Sequence, residues 1–200
     1  MRTALARAVG RRSFGTVRGV RVVAGIAGGR RLKVPPGRKL RPTSEIMREA
    51  LFSSLASADA LHDARVLDLF AGTGALGIEA LSRGAASAVF VEADPHAVRT
   101  IRENLVATGL TGGTVVQADA LRFVTSRQET FDLALVDPPY SFDGWPGLLA
   151  TLPARLAALE SGKEIDVGDG WQTLKVRRHG DSVVTLARCR REGWDPTTTE

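Results

Sequence analysis

Four carboxylates stand at the ends of four short apolar runs: Asp68 within residues 66–70, Glu92 after 88–91, Asp119 after 114–117, and Asp137 after 131–136. If each run is a strand of one parallel sheet, the acids gather along its carboxyl edge, where open α/β sheets take their ligands. Acceptors in that place suit hydroxyls, amino groups or a cationic ligand. The first acid is followed by Ala71-Gly72-Thr73-Gly74-Ala75-Leu76-Gly77, which reads as strand, tight turn and helix. Gly72 and Gly74 let the backbone turn sharply and approach a ligand with no Cβ in the way. The first N–H groups of the new helix point into the same space. A nucleotide-like cofactor fits there. The spelling Gly-x-Gly-x-x-Gly, with Glu92 twenty residues beyond Gly72, admits a dinucleotide as well as S-adenosylmethionine (SAM). The turn alone does not choose between them.

The stretch Asp137-Pro138-Pro139-Tyr140 does choose. Downstream of Asp68-Leu69-Phe70-Ala71-Gly72-Thr73-Gly74, it resembles the SAM-dependent methyltransferases that modify exocyclic amino groups of nucleic-acid bases. More narrowly, Arg41-Pro42-Thr43-Ser44 followed by Arg48-Glu49-Ala50-Leu51-Phe52 resembles the RsmD family of 16S ribosomal RNA guanine-N2 methyltransferases. The similarity runs over residues 22–188. The tetrapeptide also makes chemical sense. The lone pair of an aminated base is delocalised into its ring and is a poor nucleophile. Asp137 and the Pro138 carbonyl can both accept from the NH₂ group, which favours a pyramidal nitrogen. Two successive prolines preset these acceptors, and Tyr140 offers a ring on which an extruded base can stack.

The resemblance implies an α/β, Rossmann-like class I methyltransferase fold. Its seven-stranded, mostly parallel sheet carries a C-terminal antiparallel hairpin, behind a basic N-terminal arm. It implies SAM as cofactor, with Glu92 accepting from both ribose hydroxyls, Asp119 from the adenine amino group, and Ala120 donating from its backbone. Asp68 faces the methionine ammonium, Gly72 and Gly74 line the same cavity, and Phe70, Thr73 and Ala93 complete the set, with Thr43 as a cover. The expected catalytic group is Asp137, Pro138, Pro139 and Tyr140. The expected target is the N2 amine of guanine 966 in 16S rRNA, on the 30S subunit or an assembly intermediate. Adenine-N6 methylation of RNA or DNA remains an alternative within the same chemistry. An NAD-dependent oxidoreductase explains the glycines and Glu92 but gives residues 137–140 no task. A catalytically silent RNA-binding or assembly protein explains only the basic arm. The chain departs from the family in a long leader before Arg18 and in residues 162–170, which are poor in apolar side chains.

The elements that must position these residues follow from periodicity. Met47, Ala50, Leu51, Ser54 and Leu55 mark an amphipathic helix from residue 43. Leu76, Ala80 and Leu81 face inward on the helix after the glycine turn, which Gly84 ends. Asp94-Pro95 caps a third helix whose stripe is Val98, Ile101 and Leu105, stopped by Gly109. Residues 121–126 read as a short helix. The order βαβαβαβ implies a parallel sheet with right-handed crossovers. Residues 145–159 look helical despite Pro153, although 156–159 would also serve as the start of a fifth strand. Residues 171–178 and 182–188 read as a terminal β-hairpin, and 18–34 as a small hairpin or extended arm.

Composition sets the partners. Residues 1–44 hold twelve Lys or Arg and no acid, while the remainder holds fifteen basic against twenty-two acidic residues. Such segregation points the front of the chain at a polyanion, and RNA fits better than a membrane. Arg30, Arg31, Lys33, Arg38, Lys39 and Arg41 are the expected phosphate grips. The expected organisation is a disordered basic leader over 1–18, an RNA-contacting arm over 19–42, a methyltransferase domain over 43–190 and a tail over 191–200. The Arg-rich, acid-free start also reads as a mitochondrial transit peptide, but an RNA-contacting arm or a short functionless tail is the simpler account. No apolar run approaches the roughly 20 residues of a membrane helix. The single Cys189 indicates no oxidising compartment and reads as core, which disfavours ring-carbon methylation through a cysteine nucleophile. His62, His96 and His179 lack ligand spacing, so no metal is expected. The expectation is a cytoplasmic monomer.

Overall fold

A computed structural model of the chain describes residues 19–35, 44–126 and 129–191. Its order is α1 (Ser44–Ser57), β1 (Arg65–Leu69), α2 (Ala75–Ser82), β2 (Ser87–Glu92), α3 (Pro95–Thr108), β3 (Gly113–Gln117), α4 (Ala120–Ser126), β4 (Phe131–Val136), α5 (Trp145–Thr151), β5 (Ala154–Ser161), β6 (Trp171–His179) and β7 (Ser182–Cys189). The strands form one sheet in the order β3-β2-β1-β4-β5-β7-β6. The first five strands run parallel, and β7 inserts antiparallel between β5 and β6. The order reverses between β1 and β4, which opens a crevice at their carboxyl ends. This is the class I methyltransferase architecture expected above.

The sheet is covered on both faces, so its strands read as apolar runs rather than strict alternations. On one face Val66, Phe90, Leu133 and Leu135 pack against Phe52 and Leu55 of α1, Ile78 of α2 and Ile101 of α3. On the other, Leu67, Leu69, Val136 and Leu159 pack against Phe123 of α4 and Leu148 of α5. Residues 145–159 do not form one helix. Leu152 precedes proline and is extended (φ −58°, ψ 116°), so α5 stops there and a complete fifth strand follows. The polar connection over 162–170 is tied down by Ile165 and Val167, which pack on the second core.

Residues 19–35 dock on this domain. Arg21 and Arg31 form an antiparallel bridge, and Val22 N–H donates to the Arg30 carbonyl at 2.9 Å. A buried acid holds the turn. Glu79, fully enclosed within α2, accepts from Val23 N–H at 2.6 Å, Ala24 N–H at 3.0 Å and Arg83 Nε at 2.7 Å. Gly25 lies so close to α2 that a Cβ there would fall 1.8 Å from the Ser82 carbonyl oxygen. Farther along, Asn104 of α3 accepts from Lys33 N–H at 2.8 Å, and its Nδ2 donates to the carbonyls of Lys33 and Thr73 at 3.0 and 2.9 Å. The arm is thereby fastened to the glycine turn itself.

Gly77 lets α2 sit close to β2. A Cβ there would meet Phe90 Cε1 at 2.3 Å, and Phe90 is fully buried. Gly77→Ala is expected to destabilise the fold by about 1–3 kcal/mol through overpacking, read as a lower urea midpoint. Phe90→Leu in the same chain should recover part of that loss.

Candidate active site

Two carboxylates shape the turn between β1 and α2. Asp68, 1% exposed, directs Oδ2 to the N–H of Gly77 at 2.9 Å and so satisfies a donor of the first turn of α2. Glu92, at the end of β2, accepts from Gly72 N–H at 2.8 Å through Oε2. Its Oε1 takes the N–H groups of Ala93 and Asp94 at 2.9 and 3.0 Å. Left-handed backbone recurs along the turn, with φ 59° at Phe70, 59° at Gly72 and 76° at Gly74. At Phe70, which has a Cβ, that conformation costs on the order of 1–3 kcal/mol. It is held by a chain of edge-to-face contacts: Phe70 against Phe142 at 5.2 Å, and Phe142 against Trp145 at 5.3 Å.

Above this turn lies a cavity of about 320 Å³, within the range of small-molecule sites. Asp68, Phe70 and Thr73 line it from the turn, Asp137, Pro138 and Pro139 from the end of β4, and Glu160 from β5. Met47, Arg48 and Leu51 of α1 and Val20 and Val34 of the arm close the opposite side. Among the described residues, three acids therefore share one cavity with one guanidinium. Burial pushes the Asp68 carboxyl well above the ordinary carboxylate range. The Gly77 N–H pulls it back, and the charges of Asp137 and Glu92 push it further up.

The expected site residues do not all face this cavity. Gly72 and Gly74 shape the turn beneath it. Glu92 and Ala93 lie at the junction of the turn with β2, outside the lining. Asp119 is exposed and caps α4 through Arg122 N–H at 3.0 Å, with Ala120 buried as the first residue of that helix. Pro138 is buried and Pro139 exposed; the Pro139 carbonyl accepts from Phe142 N–H at 2.8 Å. Tyr140 is 43% exposed, and its hydroxyl shares a 2.6 Å hydrogen bond with Ser182 Oγ. Its ring leans on Gly162, where a Cβ would sit 3.3 Å from it. Tyr140 thus stands at the rim rather than in the cavity lining.

Of the arm cations, Arg30 donates to the Ala107 carbonyl at 2.9 Å and Lys33 pairs with Glu103 at 2.8 Å. Arg31 is exposed. Thr43, Arg38, Lys39 and Arg41 lie outside the described residues. A shallow groove continues from the cavity across Met47, Leu51 and Val184 to Lys175 and Arg177 of β6. Those two cations, like Arg48 and Glu160, are absent from the expected site. Arg48 left a signal in the sequence, because it falls four residues before Phe52 on the buried face of α1. A charged residue on that face needs a partner or a ligand. Cys189 is half-buried and packs on the second core.

The family model described as "Conserved hypothetical protein 95" matches residues 20–188. The chain belongs to that family, RsmD, as its motifs led one to expect. Over 121 residues it is 40% identical to "Ribosomal RNA small subunit methyltransferase D" of Escherichia coli K12, an alignment spanning 60% of each chain. The protein of the same name from Haemophilus influenzae is 32% identical over 174 residues, 80% of this chain and 89% of that one. Among solved structures, "Putative methyltransferase yhhF" of E. coli superposes with a TM-score of 0.75 at 33% identity, over 85% of this chain and 97% of that one. A hypothetical protein of Thermus thermophilus gives 0.71 at 36% identity, over 84% and 98%. Among the described residues, no helix is long and apolar enough to cross a membrane.

The raised Asp68 pKa fixes the sign of a pH effect. A carboxyl that holds its proton longer when folded contributes stability below the ordinary carboxylate pKa, and that contribution is lost as pH rises toward the folded value. Asp68→Asn keeps an acceptor for Gly77 N–H without the buried charge. Its stability relative to the parent chain is expected to rise as pH is raised from the ordinary carboxylate range to neutrality, measured by urea unfolding across that range.

Proposed function

We propose that this protein transfers a methyl group from SAM to the exocyclic N2 amine of a guanine in small-subunit ribosomal RNA. The observation that carries the reading is the shared cavity, in which Asp137, Pro138 and Pro139 stand beside the glycine turn and Asp68, at the ends of two neighbouring strands. The family and the name printed for the E. coli and H. influenzae relatives support the ribosomal substrate. The residues present fit the cofactor. Three acids line a cavity that would take a ligand with a sulfonium and an ammonium, and the tight turn leaves room beside its backbone. When bound, SAM supplies an electrophilic methyl group on a positively charged sulfur.

The chain's own residues do the rest. Asp68 keeps Oδ2 on Gly77, and its other oxygen is available to accept from the cofactor's ammonium. Phe70 and Thr73 form the wall beside it. Asp137 and the Pro138 carbonyl accept from the target amine, turn its lone pair out of the ring and hold it in line with the methyl group. Proximity and orientation then supply most of the acceleration. As the nitrogen gains positive charge, the preset acceptors bind it more strongly, and a proton leaves the product ammonium to solvent. Glu92 and Asp119, at the ends of β2 and β3, serve the ribose and the adenine. Tyr140, at the rim, packs against the extruded base.

RNA is gripped outside the cavity. The arm supplies Arg30, Arg31 and Lys33 and, beyond the described residues, Arg38, Lys39 and Arg41. The groove beside β6 adds Lys175 and Arg177, which suit phosphates flanking the target. The protein works as a soluble, cytoplasmic monomer without a metal.

The test is methyl transfer from labelled SAM to 30S subunits purified from cells lacking this gene, with the modified nucleoside identified by mass spectrometry. N2-methylguanosine at one site is the expected product; N6-methyladenosine would move the target to adenine. Asp137→Ala should retain SAM binding and lose turnover by several orders of magnitude, on the order of 10³-fold for a lost preset acceptor. Comparable activity in that variant would remove Asp137 from its role.

A further inference from the structure

Among the described residues, Arg48 is the one cationic side chain that lines the cavity, and it is 6% exposed. Its Nη2 donates to the Arg21 carbonyl at 2.6 Å, while its Nε lies 3.9 Å from Glu79 Oε2 and makes no hydrogen bond among the described residues. Glu79 is already committed to Arg83 at 2.7 Å and to two backbone N–H groups. Two guanidinium groups therefore share one carboxylate in the interior, which leaves a net positive charge beside the cavity. Nearby, Arg21 and Glu45 neutralise each other at 2.6 Å. A buried charge that is only partly matched is costly. Burial lowers the Arg48 pKa, with Glu79 opposing that shift, yet a guanidinium stays protonated.

The acids of the cavity do not supply the missing partner. Asp68, Asp137 and Glu160 enter from the ends of β1, β4 and β5, whereas Arg48 enters from α1, and among the described residues Glu79 and Glu45 are the opposite charges that act on it. The cavity is thus polarised, with carboxylates on the sheet side and a guanidinium on the helix side. An α-amino-acid group, cationic at one end and anionic at the other, matches that polarity. Accepting the SAM reading above, we propose that Arg48 binds the carboxylate of the cofactor's methionine moiety, opposite the site that Asp68 offers its ammonium. The guanidinium gains its missing anion on binding, and the link from Nη2 to Arg21 fastens the arm to the occupied cavity.

The experiment compares S-adenosylhomocysteine with its decarboxylated counterpart, 5′-(3-aminopropylthio)-5′-deoxyadenosine, by calorimetry on the full chain. The wild type should prefer the carboxylate-bearing ligand by about 10- to 100-fold, the scale of one hydrogen-bonded charge. In Arg48→Met that preference should fall to about threefold or less, because the variant loses affinity for only one of the two ligands. Arg48→Lys, which keeps the charge if the arm contact weakens, should retain part of it. A merely structural role for Arg48 would weaken both ligands equally and leave the ratio unchanged, and that result overturns the proposal. Equal binding of both ligands to the wild type would also overturn it while leaving the SAM reading intact. Binding of neither ligand would sink both.

Discussion

The site depends on a constraint at one turn: α2 must start directly after the end of β1, with N–H groups of the turn and of the first helical turn buried. Water cannot satisfy those donors, so protein acceptors must. Asp68 takes Gly77 N–H from below, and Glu92 takes Gly72 N–H from the side. Both acids are thus structural before they are anything else, and each has part of its acceptor capacity already used. Glu92 is the more committed, with three backbone N–H groups on two oxygens. Asp68 has one such bond and sits in the cavity lining. The difference is one of place: Asp68 keeps an oxygen free of backbone donors within the cavity lining, while Glu92 lies outside that lining.

The N-terminal arm extends this constraint outward. Glu79 and Asn104 hold Val23, Ala24 and Lys33 by their backbone groups, so those anchors of the arm do not depend on its basic side chains. Asn104 also grips the Thr73 carbonyl, which makes the arm and the glycine turn share one amide. Val20 and Val34 then become walls of the cavity. A segment that by charge alone looked like an RNA tether is equally part of the cavity wall. Its cations divide accordingly, with Lys33 and Arg30 turned onto α3 and Arg31 exposed.

What could be read from the sequence was what local chemistry dictates. The glycine turn, the acids at strand ends and the final hairpin each follow from residue type and short-range period, and they stand close to where spacing put them. The helix expected over 145–159 fails because Pro153 forces Leu152 extended, and a short apolar run after it is free to become a strand. The partners of the buried charges were not legible, because they lie far apart in sequence: Glu79 meets Val23 across 56 residues, and Asn104 meets Lys33 across 71. Composition could not reveal that Tyr140 would be drawn to Ser182, since that contact exists only once β7 inserts beside β5. The lone acid within the apolar stretch Ile78-Glu79-Ala80 and the lone Arg48 before Phe52 were nonetheless visible as conflicts between charge and burial. Such conflicts mark places where tertiary partners or ligands are needed.

The proposed chemistry explains why a cavity with so many acids needs no general base of raised strength. A neutral amine that takes a methyl group from a sulfonium moves positive charge and does not create it. Carboxylates on the sheet side are favourable before and after the transfer, and in the proposed geometry Asp137 gains most, because the charge would arrive beside it. The same field would be harmful to a negatively charged group, and a methionine moiety carries one. A fold that brings acids to the ends of three strands must therefore place its compensating cation on a different element. α1 packs on one face of the sheet beside the cavity and carries Arg48 into its lining. That division of charge between sheet and helix would let one small cavity hold the proposed ligand of mixed charge in a single orientation.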